Sequence, residues 1–187
     1  VNFLTFKPPS SLLEFKHSLN SLLPKDIVVL SIEEAPLYFH PTLDCTAKEY
    51  RYYVCTGDVQ LPQHRFYSWH VHYPIDFGKI EQALPSFIGE HDFSSFCNVK
   101  KNAHYTDRIR KVTSFQLLKM EEGRFCLSIC GSHFLYKMVR NIVGTVIYIG
   151  RGKIALEQLP LIFEAKYRPE AGVTAPAHGL FLHEVRY

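Results

Sequence analysis

The sequence lacks the short motifs that mark several large enzyme classes. None of its 187 residues forms a Gly-x-Ser-x-Gly elbow, a P-loop, a Gly-x-Gly-x-x-Gly fingerprint or a zinc-deaminase signature. These absences argue against an α/β-hydrolase, a P-loop nucleotide hydrolase, a Rossmann dehydrogenase and a zinc deaminase. Any catalytic activity must therefore use a different set of residues.

Long apolar runs are also missing. Hydrophobic residues make up 47% of the chain and charged residues 21%, but no uncharged apolar stretch is long enough to cross a membrane. Residues 1–20 show no positively charged start followed by an apolar stretch, so no signal peptide is predicted. These features predict a soluble globular protein. The start at Val1 rather than Met indicates a trimmed or fragmentary chain.

The chain has five cysteines and no Cys-x-x-Cys pair, which argues against a zinc site or a redox motif. Cys126 and Cys130 fall in a predicted strand, where four residues span about 13 Å, too far for a disulfide. Reduced thiols in a cytoplasmic protein are the simplest interpretation of all five. They are Cys45, Cys55, Cys97, Cys126 and Cys130.

Charge permits nucleic-acid binding but does not require it. The net charge is +3 and the isoelectric point is near 8.5, which is mildly basic. The 11 Tyr and 14 Phe residues are more suggestive, since several stand beside basic residues.

Residues 1–40 are predicted to belong to an N-terminal lobe. Alternating patterns predict strands over residues 1–6 and 27–32. Between them, Ser11 and Glu14 form a capping-box pattern that begins a helix, and Pro24 ends it. Residues 35–47 contain Pro36 and Pro41 and are interpreted as a crossing between two lobes.

Residues 41–187 are predicted to form a C-terminal catalytic and RNA-binding lobe. Asp76 is a good N-cap for a second helix, and a half-buried antiparallel strand is predicted over residues 67–73. The order of elements predicts an α+β fold, with a largely antiparallel sheet and helices packed on one face. The other predicted strands cover residues 50–55, 112–119, 124–130 and 180–187, and further helices cover 133–149 and 157–166.

Arg140 lies beside the apolar stripe of the longest predicted helix. Periodicity places it about 120–140° from the centre of that stripe, with Tyr136 and Gly144 one turn before and after it. It could be an ordinary arginine that extends to water. Gly144 weakens a helix by about 1 kcal/mol relative to alanine, so close approach of another backbone or of a ligand is expected there.

Tyr50 begins a strand that is dense in aromatic and basic side chains. Tyr50 and Tyr52 share one face, and Arg51 and Tyr53 share the other. A tyrosine beside a cation can stack on an extruded base while the cation meets phosphate. Packing of strand tyrosines on a core is the alternative.

Three further groups give weaker signals. His91 and Asp92 could be an acid–base pair, although Asp92 capping a turn is the simpler interpretation. His70 and His72 could bind a metal, but no third ligand is nearby. A basic loop could contact phosphates, or could simply be solvated; its members are Lys100, Lys101, Arg108, Arg110 and Lys111.

Several segments, taken in order, resemble the tRNA pseudouridine synthase A family. The most specific is HFLYKMVRNIVGT over residues 133–145, and the others are AKEYRY (47–52), GEHDFSSF (89–96) and AHGLFL (177–182). The resemblance runs from Val1 to Tyr187. It implies isomerisation of uridine to pseudouridine in the anticodon stem-loop of tRNA, by a cytoplasmic homodimer without a cofactor or catalytic metal.

The resemblance also assigns residues. Tyr50 matches the tyrosine that stacks on the target base, Arg140 the arginine that pairs with a catalytic aspartate, and Leu180 an apolar pocket position. Arg51 and Arg110 are the basic residues expected to help bind the RNA. An arginine within a few ångströms keeps a carboxylate nucleophile ionised.

The family's Arg-Thr-Asp signature, which carries that aspartate, has no counterpart here. None of the six aspartates stands in such a motif, although Asp44, six residues before Tyr50, is a tempting substitute. The aspartate is expected upstream of the segment that begins at Val1. The chain alone is therefore predicted to be an inactive part of a pseudouridine synthase. A non-catalytic RNA-binding module and a dimerisation domain are the alternatives.

Overall fold

The computed structural model describes residues 1–99, 107–121 and 123–187. These residues form two compact units, residues 1–45 and residues 46–187.

The first unit contains one helix, α1 (Leu12–Leu22). Its N-cap is Ser11, whose hydroxyl accepts a hydrogen bond from the Glu14 amide at 3.3 Å. This satisfies one of the free amides at a helix start and confirms the predicted cap. The ring of Phe15 contacts that of Phe3 at a centroid distance of 6.2 Å.

The strands predicted over residues 1–6 and 27–32 are wrong. Both segments run as irregular chain, and neither forms a backbone ladder with any residue that the structure describes. The Asn20 side-chain amide instead bonds to both backbone groups of Val29, at 2.7 and 2.9 Å. Alternation shows which side chains share a face, but a strand also needs a partner for its backbone.

The second unit is built on a six-stranded sheet. The strand order is β2-β1-β5-β4-β3, and β6 also pairs with β1. All pairs are antiparallel except β1 with β2, so the predicted α+β fold with a largely antiparallel sheet is confirmed. The strands are β1 (Ala47–Thr56), β2 (Trp69–Val71), β3 (Gly89–Asp92), β4 (Ile109–Lys119), β5 (Arg124–Gly131) and β6 (Leu180–Arg186).

Strand β1 pairs with three other strands. One of its edges pairs with β5, and its other edge is shared by β6 over residues 47–52 and by β2 over residues 54–56. The antiparallel direction predicted for β2 is wrong. Residues 57–68 lead from the end of β1 back to the level of Val54, where β2 begins in the same direction as β1. A connection of about a dozen residues is what two parallel neighbouring strands need.

The helices of this unit pack on one face of the sheet, as predicted. They are α2 (Phe77–Ala83), α3 (Met138–Gly150) and α4 (Leu159–Ala165). Asp76 caps α2 through a hydrogen bond from the Lys79 amide to Oδ1 at 3.1 Å. Short 3₁₀ turns cover Pro62–His64, Leu84–Phe87, Ser94–Phe96, Leu156–Gln158, Arg168–Glu170 and Ala177–Gly179.

Helix α3 begins at Met138, five residues later than predicted. Lys137, just before it, has a left-handed φ of 60°, which an α-helix cannot contain. Tyr136 therefore lies before the helix, not one helical turn before Arg140. The core under α3 is formed by fully buried side chains that include Tyr52, Leu127, Ile142 and Val146. None of the helices described is long and apolar enough to cross a membrane.

Candidate active site

Tyr50 and Leu180 lie on the helix-covered face of the sheet, where β1 pairs with β6. Tyr50 and Tyr52 are two residues apart and share that face, and Leu180 is directly opposite Tyr52 in the register. The Tyr50 ring meets the Phe134 ring edge to face at 5.1 Å. Tyr50 and Leu180 are partly buried against the core, so both can present an apolar wall to a ligand.

Arg140 lies in the first turn of α3 and is half-buried. Its Nε donates to the Ala175 carbonyl at 2.6 Å, and the Ala175 amide donates to the Arg140 carbonyl at 3.1 Å. The Nε bond restrains the plane of the guanidinium, and the backbone bond holds Ala175 beside Arg140. Arg140 forms no ion pair with any carboxylate of the described residues, so its outer nitrogens remain available for an anion.

Gly144 has the structural reason that the sequence predicted. A Cβ at this position would overlap the carbonyl oxygen of Val173 and lie 2.8 Å from its carbonyl carbon. Gly172, Val173 and Ala175 therefore contact the α3 backbone directly, within a crossing segment formed by residues 171–176. Only glycine allows this approach, and the approach brings Ala175 within reach of Arg140.

Tyr52 connects the sheet to the same crossing segment. Its side chain is fully buried, and its hydroxyl donates to the Pro176 carbonyl at 2.7 Å. Burial raises the pKa of Tyr52 well above its usual value, and the nearby charge of Arg140 opposes this rise. Residues 175 and 176 were not expected from sequence, because a residue that acts through its carbonyl has no side-chain signature.

Replacement of Tyr52 by phenylalanine should change how stability depends on pH. The unfolded tyrosine ionises near pH 10, and the folded pKa is higher. The stabilisation that comes from the protonated Tyr52 hydroxyl is therefore fully present below pH 10 and is lost as pH rises further. Tyr52→Phe should lower the free energy of unfolding by about 1 kcal/mol at pH 8. This difference should then shrink above pH 10, by up to about 1.4 kcal/mol per pH unit.

Urea unfolding of both proteins from pH 8 to pH 11 measures this difference. Tyr53→Phe is the matched control, because Tyr53 is the next residue of the strand and faces the other side. A gap between wild type and Tyr52→Phe that stays constant with pH would contradict the prediction.

Arg51 lies on the opposite face of the sheet from Tyr50. Its Nε donates to Glu49 Oε1 at 2.8 Å, and the Ser128 hydroxyl donates to the same oxygen at 2.9 Å. The hydrogen bond from Arg51 holds the pKa of Glu49 below its usual value. The structure therefore does not bring Arg51 together with Tyr50, and its role in RNA binding stays a prediction.

Arg110 lines a surface cleft of about 370 Å³. Two of its lining residues, Lys111 and Ser132, are adjacent in the chain to Val112 and Gly131, and Gly131 also pairs with Lys48. The cleft therefore lies at the end of the sheet where β1 begins, which is also where Tyr50 lies. Two of the predicted basic residues, Lys100 and Lys101, lie outside the described residues. The cleft is lined by Glu90, Ile109, Arg110, Lys111, Ser132 and His133.

The weaker candidates have structural partners. Asp92 Oδ1 accepts from the Ser94 amide at 2.9 Å and from its hydroxyl at 2.6 Å, which confirms that Asp92 caps the turn. His91 instead contacts the Ile88 carbonyl at 3.0 Å. The rings of His70 and His72 are 5.9 Å apart, and no group of three or more possible metal ligands occurs within residues 1–99, 107–121 and 123–187.

Comparison with known proteins identifies the family. The model for tRNA pseudouridine synthase matches residues 83–187. The chain is 58% identical over 187 residues to tRNA pseudouridine synthase A 2 of Protochlamydia amoebophila, covering 100% of this chain and 71% of that protein. This chain belongs to the tRNA pseudouridine synthase A family. The family consists of isomerases that modify tRNA.

Other members of the tRNA pseudouridine synthase A family are similar over most of the chain. The tRNA pseudouridine synthase A 1 of Bacillus cereus is 38% identical over 184 residues, covering 97% of this chain and 73% of that protein. The tRNA pseudouridine synthase A of Halalkalibacterium halodurans is 43% identical over 163 residues, covering 87% and 61%. A chain from the crystal structure of a Cbf5-Nop10-Gar1 complex matches 56% of this chain, with a TM-score of 0.31 and 19% identity, too low to bear on function.

Proposed function

We propose that this chain supplies the base-binding wall and the arginine of an enzyme that isomerises uridine to pseudouridine in the anticodon stem-loop of tRNA. The nucleophilic carboxylate would come from another part of the parent protein. The observation that carries the proposal is the environment of the Arg140 guanidinium. The guanidinium is fixed from one side by Ala175, yet it pairs with no carboxylate in the described residues, on the face of the sheet that also holds Tyr50 and Leu180.

The chemistry assigns a role to each of these side chains. The reaction breaks the bond from the ribose C1′ to N1 of uracil and forms a bond from C1′ to C5, with one proton leaving C5 and one reaching N1. The base must first leave the RNA stack, and Tyr50, braced by Phe134, offers it a planar wall. Leu180 adds an apolar contact. Arg140 keeps the attacking carboxylate ionised and oriented.

Four of the six aspartates form contacts with groups other than Arg140. Asp44, the tempting substitute, accepts a hydrogen bond from the His40 amide at 2.8 Å and so caps a local turn. Three others also bond to neighbouring residues: Asp76 to Lys79, Asp92 to Ser94 and Lys166, and Asp107 to Ile109. None of these contacts is with Arg140.

The purified 187-residue chain should form no pseudouridine. The test incubates it with tRNA and maps pseudouridine along the RNA, beside a longer protein in which a segment with the Arg-Thr-Asp motif precedes Val1. We expect turnover only from the longer protein. Turnover by the short chain would refute the proposed inactivity, and no turnover by either protein would favour a non-catalytic RNA-binding module.

A binding measurement on the same samples separates a missing nucleophile from a missing RNA site. The short chain should bind tRNA with an affinity that falls as salt rises, because phosphate contacts release counterions. Arg110→Ala with Lys111→Ala should weaken binding, whereas Lys79→Ala, an exposed lysine on α2, should not. The homodimer and the cytoplasmic location stay predictions of the resemblance.

A further inference from the structure

A further hydrogen bond joins α3 to the crossing segment, one residue along from the bonds between Arg140 and Ala175. Asn141 follows Arg140 in the chain, and Thr174 precedes Ala175. The Thr174 hydroxyl donates to Asn141 Oδ1 at 2.6 Å, beside the bond from Arg140 Nε to the Ala175 carbonyl. The two bonds are neighbours, so a shift of Thr174 would also shift the carbonyl that holds Arg140.

Arg168 closes this cluster. Its Nη2 donates to Asn141 Oδ1 at 2.9 Å and to Thr174 Oγ1 at 3.0 Å, and its Nη1 donates to the Ala171 carbonyl at 3.4 Å. The planar guanidinium thus contacts the helix and two points of the crossing segment at once. A lysine ammonium carries all its N–H groups on one nitrogen, so it cannot donate to these three separated oxygens in the same way.

Asn141 is itself held in one orientation. It is fully buried, and its Nδ2 donates to the Phe96 carbonyl and to Asn98 Oδ1, both at 2.8 Å. Because the amide nitrogen is committed to these two acceptors, the amide oxygen must face Arg168 and Thr174. The cluster therefore has a defined geometry that is fixed on the helix side.

The position of Arg168 has a cost in stability. It forms no ion pair with any carboxylate in the described part of the chain, and burial lowers the pKa of its guanidinium. Its Nε is buried and has no hydrogen-bond partner among residues 1–99, 107–121 and 123–187. A half-buried cation that bonds only to neutral oxygens contributes little to the stability of the fold. Holding the crossing segment in place is therefore the better explanation for Arg168.

We propose that Arg168 is a positioning residue that acts on Arg140 through Thr174 and Asn141. It fixes the segment 171–176 so that the Ala175 carbonyl sets the plane of the Arg140 guanidinium. This inference rests on the proposed role of Arg140, and it adds a residue that touches neither the base nor the carboxylate.

The test observes Arg140 directly in the 187-residue chain. With ¹⁵N-labelled arginine, the Arg140 Nε–H resonance is assigned by its loss in Arg140→Lys, and its exchange with solvent is measured. Arg168→Met should speed this exchange about fivefold or more, the factor that loss of one ordinary hydrogen bond produces. Thr174→Val should act in the same direction, and Arg168→Lys should fail to restore the wild-type rate.

Arg151→Met is the matched control. Arg151 is also half-buried and follows the same helix, but it lies over the Tyr73 ring at 3.8 Å, outside the cluster. Its loss should leave the Arg140 exchange rate unchanged. Unchanged exchange in both Arg168→Met and Thr174→Val would overturn the proposal. If Arg168→Met does not fold, Thr174→Val, which keeps the shape of the side chain, decides alone.

This outcome is distinguishable from a failure of the proposed function. If Arg140 has no part in catalysis, turnover of the longer protein survives Arg140→Ala, yet the exchange of Arg140 in the short chain still responds to Arg168. If Arg168 has no positioning role, the exchange is unaffected whatever the turnover shows.

Discussion

Arg140→Ala should reduce turnover to a small residual rate in a parent protein that supplies the catalytic carboxylate, while tRNA binding stays close to normal. The expected loss in kcat is about 10²- to 10³-fold or more, as when one preorganised electrostatic partner is removed from a reacting group. Binding should survive because Tyr50 and the residues of the Arg110 cleft are also proposed to contact the RNA. Single-turnover isomerisation at saturating enzyme, with affinity measured separately, gives both quantities.

The pH profile of this variant provides a second measure. Without the neighbouring cation, the pKa of the carboxylate rises, by about 1 to 3 units for a close arginine. Any remaining activity should therefore increase with pH over a range where the wild type is constant. Arg140→Lys is the matched control, because it keeps the charge but loses the planar Nε contact with Ala175. Near-normal turnover by Arg140→Ala would refute the assigned role.

Gly144→Ala should be among the most destabilising single substitutions in the second unit. The new methyl group would overlap the Val173 carbonyl, a backbone atom that cannot rotate away. Helix propensity alone favours alanine by about 1 kcal/mol. The net effect should nevertheless be a loss of about 3 kcal/mol, the upper range for overpacking. Because Ala175 moves with Val173, the longer protein should lose turnover as well.

Gly78→Ala is the control for Gly144→Ala. Gly78 is an exposed residue of α2, and a Cβ there would meet only Asp76 Oδ1, at 3.2 Å. Its free energy of unfolding should change by less than about 1 kcal/mol, within the range of helix propensity. Thermal or urea unfolding of the three proteins compares them. An equal effect at both glycines would show that the crossing segment does not pack closely on α3.

The sequence predicted most elements whose cause is local. The Ser11 and Asp76 caps, the hairpin of β4 and β5 and the final strand β6 all follow from the side chains of the segments that form them. The predicted strands in residues 1–6 and 27–32 fail because pairing depends on distant backbone, which a local pattern does not contain. The start of α3 fails for another reason: the left-handed Lys137 has no distinctive residue type.

The site divides in the same way. Tyr50 and Arg140 could be proposed as site residues because the segments around them resemble the tRNA pseudouridine synthase A family, whereas periodicity alone left their roles open. The carbonyls of Ala175 and Pro176 could not, since any residue can offer a carbonyl. Gly144 lies between these cases. A glycine destabilises a helix, so its presence indicated that another group packs closely against the helix there. Only the structure shows that this group is the Val173 carbonyl.

The shared edge of β1 has a consequence for how this protein folds. Tyr52 pairs with Leu180, which is 128 residues further along the chain, and Arg140 bonds to Ala175, which is 35 residues further along. Contacts of such high sequence separation form late, because a long loop must close before they stabilise anything. During synthesis, Tyr50 and α3 leave the ribosome well before β6 does. The face that holds Tyr50 and Leu180 is therefore completed only after β6 has been made, and earlier intermediates expose an open strand edge that favours aggregation.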